Sequence, residues 1–320
     1  MTSFVNNPTY HEYNKEVRTF NKWLQPQFGK RLPIHIFGSG SEGNSIFLHP
    51  YRTLIDLGMT FKTYQAYDPN FFLSVDHVIL THHHGDHLNP ATLKKIIKTY
   101  PHLKIYISDH MWDTIRSDYY KATWVKRDPD EPVPFGDDPI YKTDANGDKI
   151  PAPSKLKPVL DKHASMFHSV APRELKTHDG HTVWFNSRIT KHGDIPNIAI
   201  ELSDPSLNFE FLYASDLDNL DGSGSFIDKN NHTHMVDGLD QEKIYNCMFL
   251  EANYDEDILN QWYQNLNPDD PDYRNKKARA DGNKRHISEQ QAEKYIREHL
   301  IDNGIFIPLH ASSTFGTLRQ

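Results

Sequence analysis

Four histidines and an aspartate occupy six consecutive positions in the stretch Val78-Ile79-Leu80-Thr81-His82-His83-His84-Gly85-Asp86-His87-Leu88. That much imidazole behind a short apolar run reads as a metal site. With Val78 to Thr81 as a buried strand, alternate side chains share a face, so His82 and His84 point one way and His83 another. Gly85 permits a tight turn that returns Asp86 and His87 toward the same place. Two imidazoles can then serve one metal, while a carboxylate and a third imidazole serve a neighbour. Nitrogen and carboxylate donors without thiolate suit zinc, with manganese or iron as alternatives.

Such ligands need strands to hold them. Upstream, Leu54-Ile55-Asp56-Leu57-Gly58 ends an apolar strand on a carboxylate. A buried aspartate needs a partner, so Asp56 is expected either to hold a ligating histidine from behind or to cap the strand. Downstream, Asn89-Pro90 opens a helix with Leu93, Ile96, Ile97 and Tyr100 along one face; Pro101 stops it, and Lys104 to Ile107 form the next strand. Further strands run from Thr182 through Phe185 to the stretch Ile189-Thr190-Lys191-His192-Gly193-Asp194, from Asn197 to Leu202, from Phe209 to Asp216, from Met248 to Asn253, and from Ile305 to Leu309 before His310. Several end in an acid or a histidine, at the carboxyl ends where open α/β sheets place their sites. Before the last of them, Ser288 to Gln291 form a capping box, and Ala292, Tyr295, Ile296, His299 and Leu300 line one helical face. On that face His299 is a packing residue. His163, His168, His178, His181, His232 and His234 have no strand leading into them and are expected to be solvated.

Gly38, Gly40 and Gly43 match the dinucleotide fingerprint literally, but that fingerprint requires a helix immediately afterwards. Here Ser45-Ile46-Phe47-Leu48 reads as a second strand. The segment is therefore a β-hairpin. Its turn either offers backbone N–H groups and the hydroxyls of Ser39 and Ser41 to an active site, or serves as a structural turn alone.

The chain has 320 residues, 37% of them hydrophobic and 12% aromatic, enough for a sizeable core. One domain over 1–320 is expected, with a polar and aromatic arm at 1–30. A Pro-, Asp- and Lys-rich insertion at 125–175 is either a lid or a surface excursion. No stretch approaches 18 apolar residues, so no membrane span is expected, and the first residues lack a secretory layout. The single cysteine, Cys247, points to a reducing, cytoplasmic setting and to a buried small hydrophobe. A net charge of −8 disfavours holding long nucleic acid by phosphate neutralisation but allows engagement of a strand end. Two divalent cations would supply positive charge where a phosphate would sit.

In order and in context, Asp56, the cluster His82 to His87, His192, Asp216 and His310 resemble the metallo-β-lactamase-fold hydrolases over about residues 32 to 313. Within that superfamily, Gly38 to Ser45, Leu250-Glu251-Ala252-Asn253 and His286-Ile287-Ser288 look like the YycJ (WalJ) branch, which is associated with 5′-exonuclease activity. The resemblance implies an α/β fold, a four-layer αββα sandwich of two similar halves, and two divalent ions. It implies that His82, His84 and His192 hold one ion, that Asp86, His87 and His310 hold the other, and that Asp216 bridges them. Two ions about 3.5–4 Å apart can hold a shared water as hydroxide and stabilise a phosphoryl transition state. Asp86 would orient that nucleophile, and His286 is the candidate to protonate the leaving group. Ser39, Asn44, Ser312 and Ser313 are candidate grips for the substrate phosphate. The expected activity is a phosphodiesterase acting at single-stranded nucleic acid ends. The rivals are hydrolysis of a small ester, lactone, thioester or phospholipid, and a non-catalytic metal-binding module. An oligomeric state is not legible.

Overall fold

A computed structural model of the chain describes residues 34–40, 42–116, 141–143, 146, 149–151, 156–193, 195–222, 224–227, 233–312 and 314–317. The expected arm at 1–30, Ser41, Ser313, His232 and much of the expected insertion lie outside the described residues. The described residues form two six-stranded sheets and two short hairpins with connecting helices, the α/β class expected. They divide into two compact units. The first consists of Glu42–Ser45 and Arg52–Val170; the second consists of the described parts of Met1–Ser41, Ile46–Tyr51 and Ala171–Gln320.

Strands β1 (Ile34–Gly38) and β2 (Ser45–Leu48) come first and are neighbours in one sheet, as the hairpin reading requires. In the first unit, β3 (Thr53–Ile55), β4 (His77–Ile79) and β5 (Lys104–Ile107) run parallel. Helices α1 (Phe61–Tyr67), α2 (Pro90–Thr99) and α3 (Asp109–Arg116) connect or follow them. β6 (Tyr141–Thr143) and β7 (Lys149–Pro151) pair as a separate hairpin. Helix α4 (Lys157–Lys162) then leads to β8 (Phe167–Ser169), which pairs in parallel with β5. Helix α2 follows its sequence signals closely. The Asn89 side chain accepts from Ala91 N and Thr92 N, Pro90 occupies the first turn, and Leu93, Ile96 and Ile97 are buried.

Two expectations shift. Strand β4 ends at Ile79, not Thr81, because the Thr81 N–H turns onto the Asp56 carboxylate at 2.9 Å. Residues 156–175 belong to the framework rather than to an insertion: Leu156, Leu160 and Met166 are buried and β8 extends the parallel run. Only four buried apolar residues, Leu156, Leu160, Met166 and Leu175, mark that segment, too widely spaced to register as periodicity.

The second unit contains β9 (Arg173–Lys176), β10 (Thr182–His192), β11 (Ile195–Asp204), β12 (Phe209–Ala214), the hairpin β13 (Ser225–Ile227) and β14 (Thr233–Met235), β15 (Tyr245–Glu251) and β16 (Leu300–Leu309). Its sheet has the order β16-β15-β12-β11-β10-β9. From β9 to β12 neighbours are antiparallel, while β12, β15 and β16 are parallel. Parallel strands are covered on both faces and read as continuous apolar runs, as β15 does: all but Asn246 of Tyr245–Glu251 is buried. Cys247 lies inside β15, and burial pushes its thiol pKa up, so it behaves as the small hydrophobe expected.

Helices α5 (Glu256–Gln264), α6 (Tyr273–Asn283) and α7 (Glu289–His299) precede β16. The capping box is present: the Ser288 hydroxyl accepts from Gln291 N, and the Gln291 side chain accepts from Ser288 N. Ala292, Tyr295 and Ile296 of α7 pack with Met248 and Leu250 of β15, and His299 is buried as a packing residue. Leu300 begins β16 rather than ending α7. The sequence showed no element in 255–285 because α5 and α6 bury only Leu259 and Ala280, around Phe315. One buried residue per helix leaves no 3.6-residue stripe.

Candidate metal centre

In the first unit the donors sit just beyond β3 and β4, adjacent parallel strands whose carboxyl ends lie side by side. Asp56 directly follows β3 in the left-handed region at φ 60°, a conformation that a short polar side chain tolerates and that clusters at functional sites. Its carboxylate is fully buried and accepts from Thr81 N at 2.9 Å and Thr81 Oγ1 at 3.0 Å. It also lies 2.7 Å from His87 Nδ1. That contact places the His87 proton on Nδ1 and leaves a lone pair on Nε2. Asp56 thus holds the His87 ring from one side.

The turn from His84 to Leu88 closes through His87 N and Leu88 N, which both donate to His84 O, at 3.0 and 2.7 Å. His82 Nε2 lies 3.1 Å from His84 Nδ1, and the His82 and His87 rings are 4.1 Å apart. His83 is buried, although β4 has already ended at Ile79 and strand alternation does not extend to it. Asn44 donates from its backbone to Asp86 O at 2.6 Å, and its amide nitrogen lies 2.8 Å from His87 Nε2 and 3.3 Å from Asp86 Oδ2. Asn44 is therefore buried against the ligand loop rather than open to a substrate. Gly58 seals this crossing: a Cβ there would fall 1.7 Å from Asp86 O and 2.6 Å from Asn44 N. Gly58→Ala is expected to push Asp86 and His87 off their positions. Metal content and turnover should fall together, turnover by about a hundredfold for a shift of about 1 Å, while circular dichroism keeps the native spectrum. Unchanged turnover would show that this crossing does not set the donor geometry.

In the second unit, three adjacent parallel strands present their carboxyl ends in register, with Ala214 opposite Leu250 and Leu250 opposite Pro308. Just past those positions come Asp216, Glu251 and His310. Strands about 4.8 Å apart bring such side chains within reach of one another. Asp216 and His310 both adopt left-handed φ, 56° and 54°. His192 ends β10, which runs in the same direction as β12 because β11 is antiparallel to both.

Three imidazole nitrogens surround one oxygen of Asp216. His310 Nε2, His192 Nε2 and His286 Nδ1 lie 3.5, 3.7 and 3.9 Å from Oδ1. Asp216, Glu251, His286 and His310 each offer a donor atom within 4.8 Å of the others'. Donors bonded at about 2.0–2.1 Å to one tetrahedral ion stand about 3.3 Å apart, close to the spacing of His310 and His192 from Asp216, whereas His286 at 2.5 Å is held by Glu251. Charge agrees: Asp216 and Glu251 are buried carboxylates, which need compensation by a cation or a protonated partner.

The support is equally specific. Ser215 Oγ donates to Asp216 Oδ2 at 2.6 Å, and the Asn197 amide donates to the backbone oxygens of Ser215 and Asp216. Leu217 N donates to Glu251 Oε2, while His286 Nδ1 lies 2.5 Å from Glu251 Oε1. Burial opposes charging of His286, but the Glu251 charge and hydrogen bond, with Asp216, outweigh it and hold the imidazole pKa above its ordinary value. Asn253 Nδ2 donates to His310 O at 2.7 Å and lies 3.2 Å from His310 Nδ1. Asp218 Oδ1 accepts from Gly193 N at 2.9 Å and lies 4.0 Å from His192 Nδ1. Burial raises the Asp218 pKa against the lowering influence of Lys191, His286 and Arg285.

Among the expected substrate contacts, Ser39 Oγ accepts from His310 N at 3.2 Å. The Ser312 hydroxyl instead caps its own turn, accepting from Thr314 N and Phe315 N. Glu251, Asn253, Asn197 and Asp218 were given no role from sequence. Glu251 and Asn253 had a signal, since they end an apolar strand as Asp216 does. His181, expected in solvent, instead pairs with buried Asp204 at 2.9 Å and stacks on Tyr51; a partner 23 residues away leaves no local mark. His168 is half-buried beside Tyr106.

No family model and no curated protein matches the sequence. Among solved structures, human tRNase Z, short form, is similar at 12% identity and TM-score 0.45, covering 88% of this chain and 92% of its own. A diphosphatase from the PhnP family is similar at 10% identity and TM-score 0.40, covering 88% and 87%. Metallo-β-lactamase SMB-1 is similar at 13% identity and TM-score 0.36, covering 83% and 89%. At these values the likeness assigns no activity.

Proposed function

We propose that this protein is a metal-dependent hydrolase of the metallo-β-lactamase type. His82, His84 and His192 would hold one divalent ion, Asp86, His87 and His310 the other, and Asp216 would bridge them. The observation that carries this reading is the convergence of His192, His286 and His310 on a single buried oxygen of Asp216, at 3.5–3.9 Å. Zinc suits the donors best, with manganese or iron as alternatives. When bound, such ions polarise a phosphoryl or acyl oxygen and lower the pKa of water toward neutrality.

The chain's own groups supply the rest. Asp56 fixes the His87 tautomer, and Asn44 orients the Asp86 carboxylate, which positions the attacking water. His286, held and kept protonated by Glu251, donates its proton to the departing oxygen. The Ser39 hydroxyl stands beside His310 to receive a substrate oxygen. The preferred substrate is a phosphodiester at a single-stranded nucleic acid end, cleaved in the 5′-exonuclease manner of the YycJ-like branch. A net charge of −8 favours the second reading, hydrolysis of a small ester, lactone, thioester or phospholipid.

The test is hydrolysis of bis(p-nitrophenyl) phosphate, a 5′-phosphorylated oligonucleotide and a p-nitrophenyl ester, before and after chelation. Diester cleavage that is lost with chelator and restored by zinc or manganese supports the reading. Cleavage of the ester alone selects the second, and no cleavage by the reloaded protein leaves a binding module.

A further inference from the structure

Helix α6 was not expected from the sequence, and its charge sets it apart from the rest of the chain. Between residues 274 and 285 stand six cations, Arg274, Lys276, Lys277, Arg279, Lys284 and Arg285, against one carboxylate, Asp281. The stretch carries +5 in a chain of −8, leaving −13 elsewhere. Five of the six are exposed, Lys276 being half-buried. The acids that precede them, Asp269, Asp270 and Asp272, lie before the helix starts, where they suit its dipole. Two cations are paired, Lys276 with Asp270 at 2.5 Å and Lys277 with Asp281 at 2.6 Å. Arg279 donates only to the neutral Thr314 hydroxyl, and Lys284 lies over the Tyr263 ring. Among the described residues Arg274, Arg279, Lys284 and Arg285 have no carboxylate at ion-pair distance. Exposed pairs contribute little and exchange readily for phosphate.

The direction of this charge matters as much as its amount. Helix α6 ends at Asn283, backbone bonds Arg285 N→Gly282 O and His286 N→Asn283 O carry the chain onward, and the next side chain is His286 on Glu251. Eleven helical residues span about 16 Å, so the cations mark a path that ends at the proposed proton donor.

We propose that the exposed cations of α6 and of the turn after it bind the backbone of a single-stranded nucleic acid and lead its end to His286. This rests on the phosphodiesterase reading above and names the surface that would hold its substrate. It also reconciles an acidic chain with a polyanionic substrate, because attraction is concentrated in one basic stretch while the acidic remainder repels the rest of the strand.

The test compares Arg274→Gln/Lys277→Gln/Lys284→Gln with wild type and with a control variant, Lys62→Gln/Lys98→Gln/Lys104→Gln, at equally exposed sites. Two readouts are needed. Fluorescence anisotropy of a short single-stranded oligonucleotide in chelator reads binding without turnover; kinetics on the oligonucleotide and on bis(p-nitrophenyl) phosphate read chemistry. For the α6 variant the Kd and KM for the oligonucleotide should rise about tenfold at low salt, and the log–log salt slope should become shallower by about 2 for three lost phosphate contacts. Turnover of the small diester should stay within twofold, and the control should match wild type. Oligonucleotide binding and salt slope unchanged in the α6 variant would overturn the proposal. So would α6-dependent binding to phosphatidylserine vesicles with oligonucleotide binding unaffected. Wild type that binds the oligonucleotide through α6 yet hydrolyses no phosphodiester defeats the phosphodiesterase reading and leaves the surface standing.

Discussion

Replacing Asp216 with Asn is expected to remove turnover by about 10³-fold or more, because the carboxylate the two ions would share supplies several kcal/mol of their hold on the transition state. Asn is the informative substitution. Residue 216 is left-handed at φ 56°, a region in which Asn and Asp sit at low cost and Ala does not. Asp216→Ala therefore loses stability as well as activity, whereas Asp216→Asn should keep its melting temperature. The backbone around it is held independently by the Asn197 amide through Ser215 O and Asp216 O. A stable, well-folded Asn variant with wild-type turnover would remove Asp216 from the mechanism.

Glu251→Gln and His286→Ala should each lower kcat on an oligonucleotide by about 10²–10³-fold, the usual reach of general acid catalysis. The two act as one unit, since His286 Nδ1 lies 2.5 Å from Glu251 Oε1. The double variant should therefore be no slower than the worse single one. Leaving-group dependence separates this role from a merely structural one. p-Nitrophenolate departs without a proton, so bis(p-nitrophenyl) phosphate should lose only a few-fold where the oligonucleotide loses hundreds-fold. Equal losses on both substrates, or additive losses in the double variant, would mean that His286 donates no proton and serves the donor set instead.

Much of this site is legible in the amino-acid order because its residues stand where strand patterns end. Asp56, Asp216 and His310 each follow a short apolar run, and the His82 to His87 cluster combines a preceding apolar strand with a glycine turn. Helix α2 was legible because a cap, a proline and an apolar stripe all agree. Glu251 ended its strand just as visibly, but its link to His286 joins residues 35 apart and leaves no local trace. The same holds for Asn253 on His310 and for His181 on Asp204. Asn44 looked like a phosphate grip because it follows a glycine-rich turn. Its amide is taken by Asp86 and His87, which only the meeting of two loops at Gly58 reveals. Helix α6 escaped because a basic helix that buries one alanine has no hydrophobic period; its charge was visible, its shape was not.

Metal content per chain, measured by inductively coupled plasma mass spectrometry on protein reconstituted with zinc and then dialysed, tests the dinuclear account most directly. Two ions per wild-type chain are expected, with fewer in both His84→Ala and Asp216→Asn and turnover falling in step. A wild-type chain that hydrolyses its substrate at full rate with one ion or none would contradict it.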